Sequence, residues 1–387
     1  MRFRHVVGPV AAGLLVACCG SCKIDLDLSG GAAAQGQQGL SVSNVPDQVI
    51  DCAEVMKRDA SGLWVVGECG QTDNGIYCLS VLPDHLETWK WDGATLQKDL
   101  ALDFSGPRAL VFLPGGRYLG RMCLGDFGRN GPLVLGSLVP QGLIRQKEQI
   151  PGWKFRRTGS SRNTKHVAVG MEEDVFNPPR DYDRERPRVR IGLVDVGTLD
   201  IRWIGELTSK EGSVREIAVS QDGEYVAVTG CNNKVALLSA SLQKILWNQK
   251  PNDWVADYAV FSSDGLKLYV GGVEGCVSAI ETRTGKITGR WYATTTGRSI
   301  YGHRIACLAV SPDDRWVAAG TGLEGQVYLF DVTGKEKPRM LLHGLTTTEI
   351  VSFSPDSQYL ASFAGGKIKI WSVAPAPRKP PPAKQLK

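Results

Sequence analysis

The chain has 387 residues, 42% of them hydrophobic, so it can bury a sizeable core either as one large repeat fold or as several ordinary domains. Its formal net charge is +5. The segments 1–17 and 374–387 hold six of the 45 basic residues and no acidic one, which leaves 39 basic against 40 acidic residues between them. A nearly neutral body excludes a protein that binds nucleic acid through a basic surface.

The first seventeen residues have the pattern of an export signal. Arg2 and Arg4 precede an uncharged, mostly apolar run over 6–17 that is too short to cross a bilayer as a helix. The run ends in Leu15-Val16-Ala17-Cys18, which resembles the lipobox of bacterial lipoproteins. That resemblance implies that residues 1–17 are a signal peptide and that Cys18 is lipidated and becomes the first residue of the mature protein.

A lipidated Cys18 implies attachment to a membrane of the bacterial cell envelope, because acyl chains anchor a protein stably. Residue 19 is not aspartate, which by resemblance to lipoprotein sorting favours the outer over the inner membrane. Residues 18–39 are rich in Gly, Ala, Gln and Ser, and we expect them to form a flexible tether. Two alternatives stay open, namely export without a lipid and a cytosolic protein with a misleading amino terminus.

Seven cysteines lie beyond the signal region, and this odd number leaves at least one unpaired or paired with another chain. A turn centred on Asp73-Asn74 would place Cys69 opposite Cys78 and allow a disulfide, whereas a turn at Asn74-Gly75 would pair Cys69 with Ser80. Small buried core cysteines are the alternative. The spacing of cysteine and histidine is not that of a zinc site, so we expect neither a metal nor another cofactor.

One phrase recurs four times in the second half of the chain. It reads Val219-Ser-Gln-Asp-Gly, Phe261-Ser-Ser-Asp-Gly, Val310-Ser-Pro-Asp-Asp and Phe353-Ser-Pro-Asp-Ser, and its aspartates, Asp222, Asp264, Asp313 and Asp356, are 42, 49 and 43 residues apart. A looser pattern, with a ring three residues and an aliphatic side chain four residues after the anchor, adds Ser61, Gly115 and Asn163. We expect the aspartates to cap local turns through backbone amides.

Each repeat contains four short runs of strand-like sequence, which we call strands a to d. Short strands that recur with a period in the forties cannot bury their faces alone, so neighbouring repeats must stack radially. The sequence therefore predicts an all-β fold, a seven-bladed β-propeller of four-stranded antiparallel blades over residues 40–373.

The repeats resemble those of the WD-repeat family. The resemblance is carried by the Ser-Pro-Asp phrases, Gly302-His303, Phe330-Asp331 and Lys369-Ile-Trp-Ser372, and it is close from about residue 210 to 373 and looser upstream. Family repeats often have an aspartate in the b–c turn that bonds the histidine of Gly-His. Those turns here hold Asn232-Asn233, Glu274, Glu324 and Gly365-Gly366 instead, so the family's structural hydrogen-bond tetrad is expected to be incomplete in every blade.

The two ends of the propeller are predicted to meet in one blade. The Pro-rich sequence after Val373 cannot form a strand ladder, so the last blade lacks its outer strand. We expect the segment Leu40–Val45 to supply that strand and remove a sheet edge. Residues 374–387 are predicted to be a disordered, basic, Pro-rich tail.

The strongest recognition feature is a b–c insertion in the third repeat, residues 171–190, with six acidic residues and five arginines. Arginine and tyrosine on a loop of a rigid scaffold are typical of binding hot spots, although a self-paired solvated loop is the alternative. By family resemblance, the enlarged d–a connection 290–303 opens on the same face. The predicted binding residues are Arg180, Tyr182, Arg184, Arg186 and Arg188 of the insertion, and Trp291 and Tyr301 of the connection.

The sequence contains no motif of nucleophilic, metal-dependent or nucleotide chemistry in the context that such a motif requires. We therefore expect a monomeric, non-catalytic propeller, tethered through Cys18, that binds a protein or peptide and no nucleic acid. One alternative is a propeller enzyme or small-ligand binder whose groups gather at the central channel. A role as an envelope or outer-membrane assembly factor is a second alternative, based on analogy alone.

Overall fold

The computed structural model describes the chain between residues 41 and 373, with gaps. The described residues are 41–43, 46, 48–51, 70–72, 75–82, 85–91, 96–103, 107–113, 117–124, 129–138, 141–148, 150–162, 165–173, 188–207, 214–230, 234–251, 255–293, 304–322, 325–344, 346–354, 356–365 and 367–373. The predicted signal peptide, tether and tail lie outside them. Within these residues we find strands and turns, and no helix that is long and apolar enough to cross a membrane.

The strands of the described residues form seven sheets, numbered here in chain order. The first two strands, β1 (Ser41–Ser43) and β2 (Gln48–Asp51), join the last two sheets. Sheet 1 contains β3 (Gly70–Thr72), β4 (Gly75–Leu82), β5 (His85–Trp91) and β6 (Leu96–Asp103). Sheet 2 contains β7 (Pro107–Leu113), β8 (Arg117–Leu124), β9 (Arg129–Leu138) and β10 (Gln141–Lys147). Sheet 3 contains β11 (Trp153–Ser160), β12 (Val167–Glu173), β13 (Val189–Val194) and β14 (Ile201–Leu207).

The remaining four sheets follow the same order. Sheet 4 contains β15 (Val214–Val219), β16 (Tyr225–Gly230), β17 (Val235–Ser239) and β18 (Lys244–Gln249). Sheet 5 contains β19 (Ala256–Phe261), β20 (Lys267–Gly272), β21 (Cys276–Glu281) and β22 (Ile287–Tyr292). Sheet 6 contains β23 (Ile305–Val310), β24 (Trp316–Thr321), β25 (Gln326–Asp331) and β26 (Arg339–Leu342). Sheet 7 contains β27 (Thr348–Phe353), β28 (Tyr359–Ala364) and β29 (Lys367–Ser372).

The prediction of an all-β fold is confirmed. Consecutive strands within each sheet pair antiparallel, as the four-strand repeat predicts. The first strands of sheets 3 to 7 contact one another in chain order, so they form the inner edges of a propeller-like arrangement. The stretch 52–69, which includes the Ser61 anchor and Cys69, lies outside the described residues. In sheet 1 the turn between the first two strands falls at residues 73 and 74 and not at the predicted anchor Ser61.

The hydrophobic core lies between neighbouring sheets rather than at one centre. Residues of sheets 3 and 4, for example Ile204 and Val226, share one cluster of buried side chains. Tyr269 and Phe330 belong to another cluster, between sheets 5 and 6. Because each sheet has one inner-edge strand and two apolar faces, this packing removes both faces from water, which is how radially stacked repeats stabilise one another.

The strand that completes sheet 7 differs from the predicted one. β2, not the segment Leu40–Val45, pairs antiparallel with β29, with Gln48 opposite Ile370. β1, within the predicted segment, runs parallel to β26 and adds a fifth strand to sheet 6. The alternation of apolar and polar residues over 40–45 is compatible with pairing at the edge of sheet 6 or at the edge of sheet 7. The strand pattern alone therefore did not show that β2, which contains Val49 and Ile50, is the segment that pairs with β29.

The four recurrent aspartates cap the turn between the first two strands of their sheets, as predicted. In sheet 5, Oδ1 of Asp264 accepts the hydroxyl of Ser262 at 2.6 Å and the backbone N–H of Leu266 at 2.9 Å. The serine oxygen in turn accepts the N–H of Lys267 at 2.9 Å. The same three bonds recur in sheets 4, 6 and 7.

These turns also contact one another across sheets. Arg162 of sheet 3 donates to Oγ of Ser263 in sheet 5 at 2.9 Å, and the N–H of Ser263 donates to Oδ1 of Asp314 in sheet 6 at 2.6 Å. Asp314 has a φ of 57°, at the turn position where sheets 4 and 5 have Gly223 and Gly265. A non-glycine residue in this left-handed region is uncommon, and here its carboxylate bonds the neighbouring sheet.

Sheet 7 contains a buried chain of side-chain hydrogen bonds. Oγ of Ser362 lies 2.7 Å from Nδ1 of His343 and accepts the indole N–H of Trp371 at 2.8 Å. Nε2 of His343 lies 3.1 Å from the carbonyl oxygen of Lys367. Burial lowers the pKa of His343 to about 4, with the nearby Lys369 charge acting in the same direction.

Candidate functional site: the top end of the inner strands

We call the end of a sheet at which its first strand begins the top end. In sheet 3, Trp153 at the start of β11 pairs with Glu173 at the end of β12, and Glu172 pairs with Val189 at the start of β13. The connection between the second and third strands therefore lies at the top end, as does the connection that enters the next sheet. The two enlarged connections predicted to bind a partner both leave the sheets at this end.

The insertion of sheet 3 is held at its base by a cluster of charges. Arg188 donates to both carboxylate oxygens of Glu173, the shorter bond being 2.9 Å, and lies 3.3 Å from Glu206. Arg190 bonds the other oxygen of Glu206 at 2.9 Å, and its guanidinium carbon lies 4.2 Å from the ring centroid of Trp153. Exposed ion pairs stabilise weakly, but the cation–π contact and the shared carboxylates fix where the insertion begins and ends.

The hydrogen bond from Arg188 is the main reason that the pKa of Glu173 lies below its ordinary value, and the same bond raises the pKa of Arg188. Both groups therefore stay charged at any physiological pH. The insertion between them, residues 174–187, lies outside the described residues.

Three inner strands are connected by a second set of ion pairs near their top ends. Nη1 of Arg215 on β15 lies 2.6 Å from Oδ1 of Asp257 on β19, and Nε of Arg304, just before β23, lies 2.9 Å from Oδ2. The Asp257 side chain is 2% exposed, whereas those of Arg215 and Arg304 are 37% and 46% exposed. One buried carboxylate thus holds two half-exposed guanidinium groups from the sheets on either side.

In sheet 3 a buried carboxylate likewise pairs with a half-exposed arginine, and here both residues belong to the same sheet. Nε of Arg156 on β11 lies 2.7 Å from Oε2 of Glu172, and the side chains are 45% and 8% exposed. Arg156, Arg215 and Asp257 occupy equivalent positions, because the ladder between the first two strands shifts by one residue at each of them. Such bulges turn a side chain out of the regular alternation. We call Arg156, Glu172, Arg215, Asp257 and Arg304 the charged row.

The residues after these bulges form a second level of polar side chains, Arg157, Glu216 and Tyr258. Burial raises the pKa of Glu216 to about 7, and the Arg157 charge and the Ile217 N–H only partly oppose this. Burial and the neighbouring Glu216 carboxyl raise the pKa of Tyr258 to about 12. Glu216 therefore exchanges a proton near neutral pH, while Tyr258 keeps its hydroxyl proton.

The structure places two of the predicted binding residues. Arg188 lies at the top end, at the base of the insertion, where it pairs with Glu173 and Glu206. Trp291 lies in β22 rather than in a connection, and its half-buried ring packs 6.3 Å from Tyr269 and 6.4 Å from Phe330 between two sheets. Arg180, Tyr182, Arg184, Arg186 and Tyr301 lie outside the described residues, as does the lipidation residue Cys18.

For the proposed disulfide, the structure describes the hairpin and not the sulfur atoms. Thr72 pairs with Gly75 and Gly70 with Tyr77, so the turn between β3 and β4 is centred on residues 73 and 74. This is the register in which Cys69 and Cys78 are opposite. Cys69 and the side chain of Cys78 lie outside the described residues, and the bridge stays a prediction.

Sequence reasoning missed the charged row, although a signal for it exists. Arg156, Arg215 and Asp257 each lie seven residues before a repeat anchor, namely Asn163, Asp222 and Asp264. That position falls near the start of the inner strand in sheets 3 to 5, where a charged residue is otherwise unexpected in a buried sheet. Within the described residues, no group of three or more His, Cys, Asp or Glu side chains is arranged to hold a metal ion.

Comparison with known proteins agrees with this architecture. Residues 294–331 and 345–372, in sheets 6 and 7, match the family described as WD domain, G-beta repeat. A WD repeat-containing protein of Synechocystis sp. is 24% identical over 166 residues, 42% of this chain and 44% of that protein. The human U3 small nucleolar RNA-associated protein 18 homolog is 27% identical over 165 residues, 41% of this chain and 28% of that protein. The matches thus span less than half the length of these relatives.

Among solved structures, a chain in the crystal structure of a mitotic checkpoint complex superposes with a TM-score of 0.62. The superposition covers 93% of this chain and 99% of that chain at 15% sequence identity, a level at which the likeness concerns the fold alone. The chain therefore has an all-β, propeller-like fold with WD-repeat matches in its last two sheets.

Proposed function

We propose that the chain is a closed, seven-bladed propeller that acts as a non-catalytic scaffold and binds a protein or peptide at its top end. The seven sheets of the described residues, the inner-strand contacts and the β2–β29 ladder support this architecture. The WD-repeat matches support a binding role, since these repeats usually serve as interaction platforms.

The observation that carries the proposal is the charged row. Half-exposed guanidinium groups stand on or beside the rigid inner strands of sheets 3, 4 and 6, each oriented by a buried carboxylate. Side chains whose orientation is already fixed lose little conformational freedom on binding, which favours their use in recognition. The base of the sheet 3 insertion lies at the same end and enlarges the surface.

Site-specific crosslinking tests this proposal. A photoreactive residue at position 188, at the top end, should crosslink a partner in native membranes. The same residue at Leu242, exposed in the turn between β17 and β18 at the opposite end, is the matched control. Equal crosslinking from both positions would contradict a top-end binding surface.

We further propose that Cys18 is lipidated and tethers the propeller, through residues 18–39, to a bacterial envelope membrane, the outer one in preference to the inner. The support is the sequence Leu15-Val16-Ala17-Cys18 after a short apolar run. Mass spectrometry of the mature protein should find an acylated Cys18 at the amino terminus, and Cys18→Ser should release the protein from membranes. An unprocessed Met1 would refute the anchor.

Glu216 favours one second candidate, a small-ligand or catalytic role at the inner strands. A carboxyl whose pKa is raised to about 7 is suited to general acid–base chemistry. This role predicts a small molecule that co-purifies with the protein and is lost in Glu216→Gln. Retention of all crosslinking in that variant, with no bound molecule, would favour the scaffold.

A further inference from the structure

We propose that the arginines of the charged row bind the carboxylates of an acidic segment in the partner protein. This inference rests on the proposed binding role of the top end and adds the chemical class of the partner.

The first argument is that the negative groups of the charged row are buried, whereas its positive groups are exposed. The carboxylates of Asp257 and Glu172 are almost completely buried, whereas the side chains of Arg156, Arg215 and Arg304 are each more than a third exposed. A partner that approaches the row therefore meets guanidinium groups and cannot reach the acids beneath them. A basic segment is repelled by this layer, and an acidic one is attracted.

The second argument is the count of charges and donors. Asp257 lies between two arginines, so the charged row contains three guanidinium groups and two carboxylates. In both Arg156 and Arg304 the atom that meets the buried carboxylate is Nε. A guanidinium carries five N–H donors in a planar fork, so an ion-pair contact at Nε leaves the Nη edge for a second, bidentate carboxylate.

The third argument concerns the other exposed groups. The large exposed hydrophobic side chains in the described part of the chain are Leu143, Ile144, Leu242 and Leu266, and none lies at the top end. The first two are on β10, an outer strand, and the others are in turns at the opposite end. Among described residues, recognition at the top end is therefore carried by charge and not by an apolar anchor.

The experiment is a binding measurement on the full-length protein with a fluorescent poly-glutamate peptide. We expect saturable binding that weakens as salt is added, and no binding of a poly-glutamine or poly-lysine peptide. Arg156→Gln and Arg304→Gln should each weaken the affinity about tenfold, the loss of one charge-assisted contact. Arg283→Gln removes an exposed arginine from the turn between β21 and β22, at the opposite end, and should leave the affinity unchanged.

A folding defect is separated from a binding defect by Arg304→Lys. Lysine keeps the charge next to Asp257 but lacks the planar fork, so this variant should fold and bind with an intermediate affinity. Equal affinity in wild type and Arg304→Gln would overturn the inference. Displacement of the peptide by inorganic phosphate at comparable concentrations would also overturn it, because the site would then recognise phosphate.

The outcome also separates this inference from the proposed function. A crosslink from position 188 in a protein that does not bind poly-glutamate would leave the top-end scaffold in place and refute the acidic partner. Absence of both the crosslink and poly-glutamate binding would refute both the proposed function and this inference. Competition of poly-glutamate with the crosslinked partner, lost in Arg304→Gln, is the result that supports both.

Discussion

Protonation of His343 should make the fold sensitive to mild acid. The imidazole is 5% exposed and is held between Ser362 and the Lys367 carbonyl, and its pKa is lowered to about 4. In the unfolded chain the pKa is near 6.5. Between these two values the unfolded state binds the proton and the folded state does not, so the free energy of unfolding falls as the pH falls.

The magnitude follows from the two pKa values, because a tenfold difference in proton affinity between the folded and unfolded states corresponds to about 1.4 kcal/mol. The loss of stability is negligible above pH 7, reaches about 2 kcal/mol at pH 5, and levels off near 3 kcal/mol below pH 4. His343→Gln cannot take up the proton. We therefore expect this variant to be less stable than wild type at pH 8 and to lose about 2 kcal/mol less between pH 8 and pH 5.

The assay is chemical denaturation at the two pH values, followed by tryptophan fluorescence. Trp371→Phe is the matched control, because it removes the indole donor to Ser362 and leaves the histidine in place. It should lower the stability by a similar amount at both pH values, by more than about 1 kcal/mol, because it removes one buried hydrogen bond and part of a buried ring. Parallel pH dependence in wild type and His343→Gln would refute the reasoning.

Three further predictions concern stability and are read from thermal or chemical unfolding. Asp257→Asn should destabilise the protein by about 1–3 kcal/mol, because two guanidinium groups lose their shared counter-charge; an unchanged midpoint would mean that solvent already screens the pair. Asp264→Ala should cost about 1 kcal/mol by leaving the turn amides uncapped, and an effect below a few tenths would contradict a capping role. Gly159→Ala should lower the stability by about 1–3 kcal/mol, because the added Cβ would lie 2.0 Å from the carbonyl oxygen of Ile217. Gly142→Ala is the control, because its Cβ would meet no atom within 4 Å and the stability should stay unchanged. Equal effects of the two substitutions would refute this close approach of β11 and β15.

Sequence periodicity predicted the strands of sheets 4 to 7 because the turn chemistry repeats there. In the phrase around Asp264, the residues Ser262, Asp264 and Gly265 each have a local role in the hairpin. Local hydrogen bonds depend on neighbours in the chain, so a short pattern is enough to identify them.

The parts that prediction missed depend on residues far apart in the chain. The pairing of Arg215 with Asp257 joins neighbouring repeats, and nothing local to either residue specifies the partner. β2 rather than the segment 40–45 pairs with β29, and these two strands lie more than 300 residues apart in the chain. Trp291 was predicted in the d–a connection 290–303, yet it lies in β22 and neighbouring sheets enclose its ring.

The ladder between β2 and β29 also constrains the order in which the chain folds. Gln48 and Ile370 lie near opposite ends of the sequence, and joining them in an otherwise unfolded chain costs about 5 kcal/mol of loop entropy, so their pairing is favourable only after the sheets between them have formed. Sheets 3 to 5 can each assemble from one continuous stretch of chain. During synthesis β2 is made long before β29, so we expect sheet 7 to be completed after the sheets between them have formed.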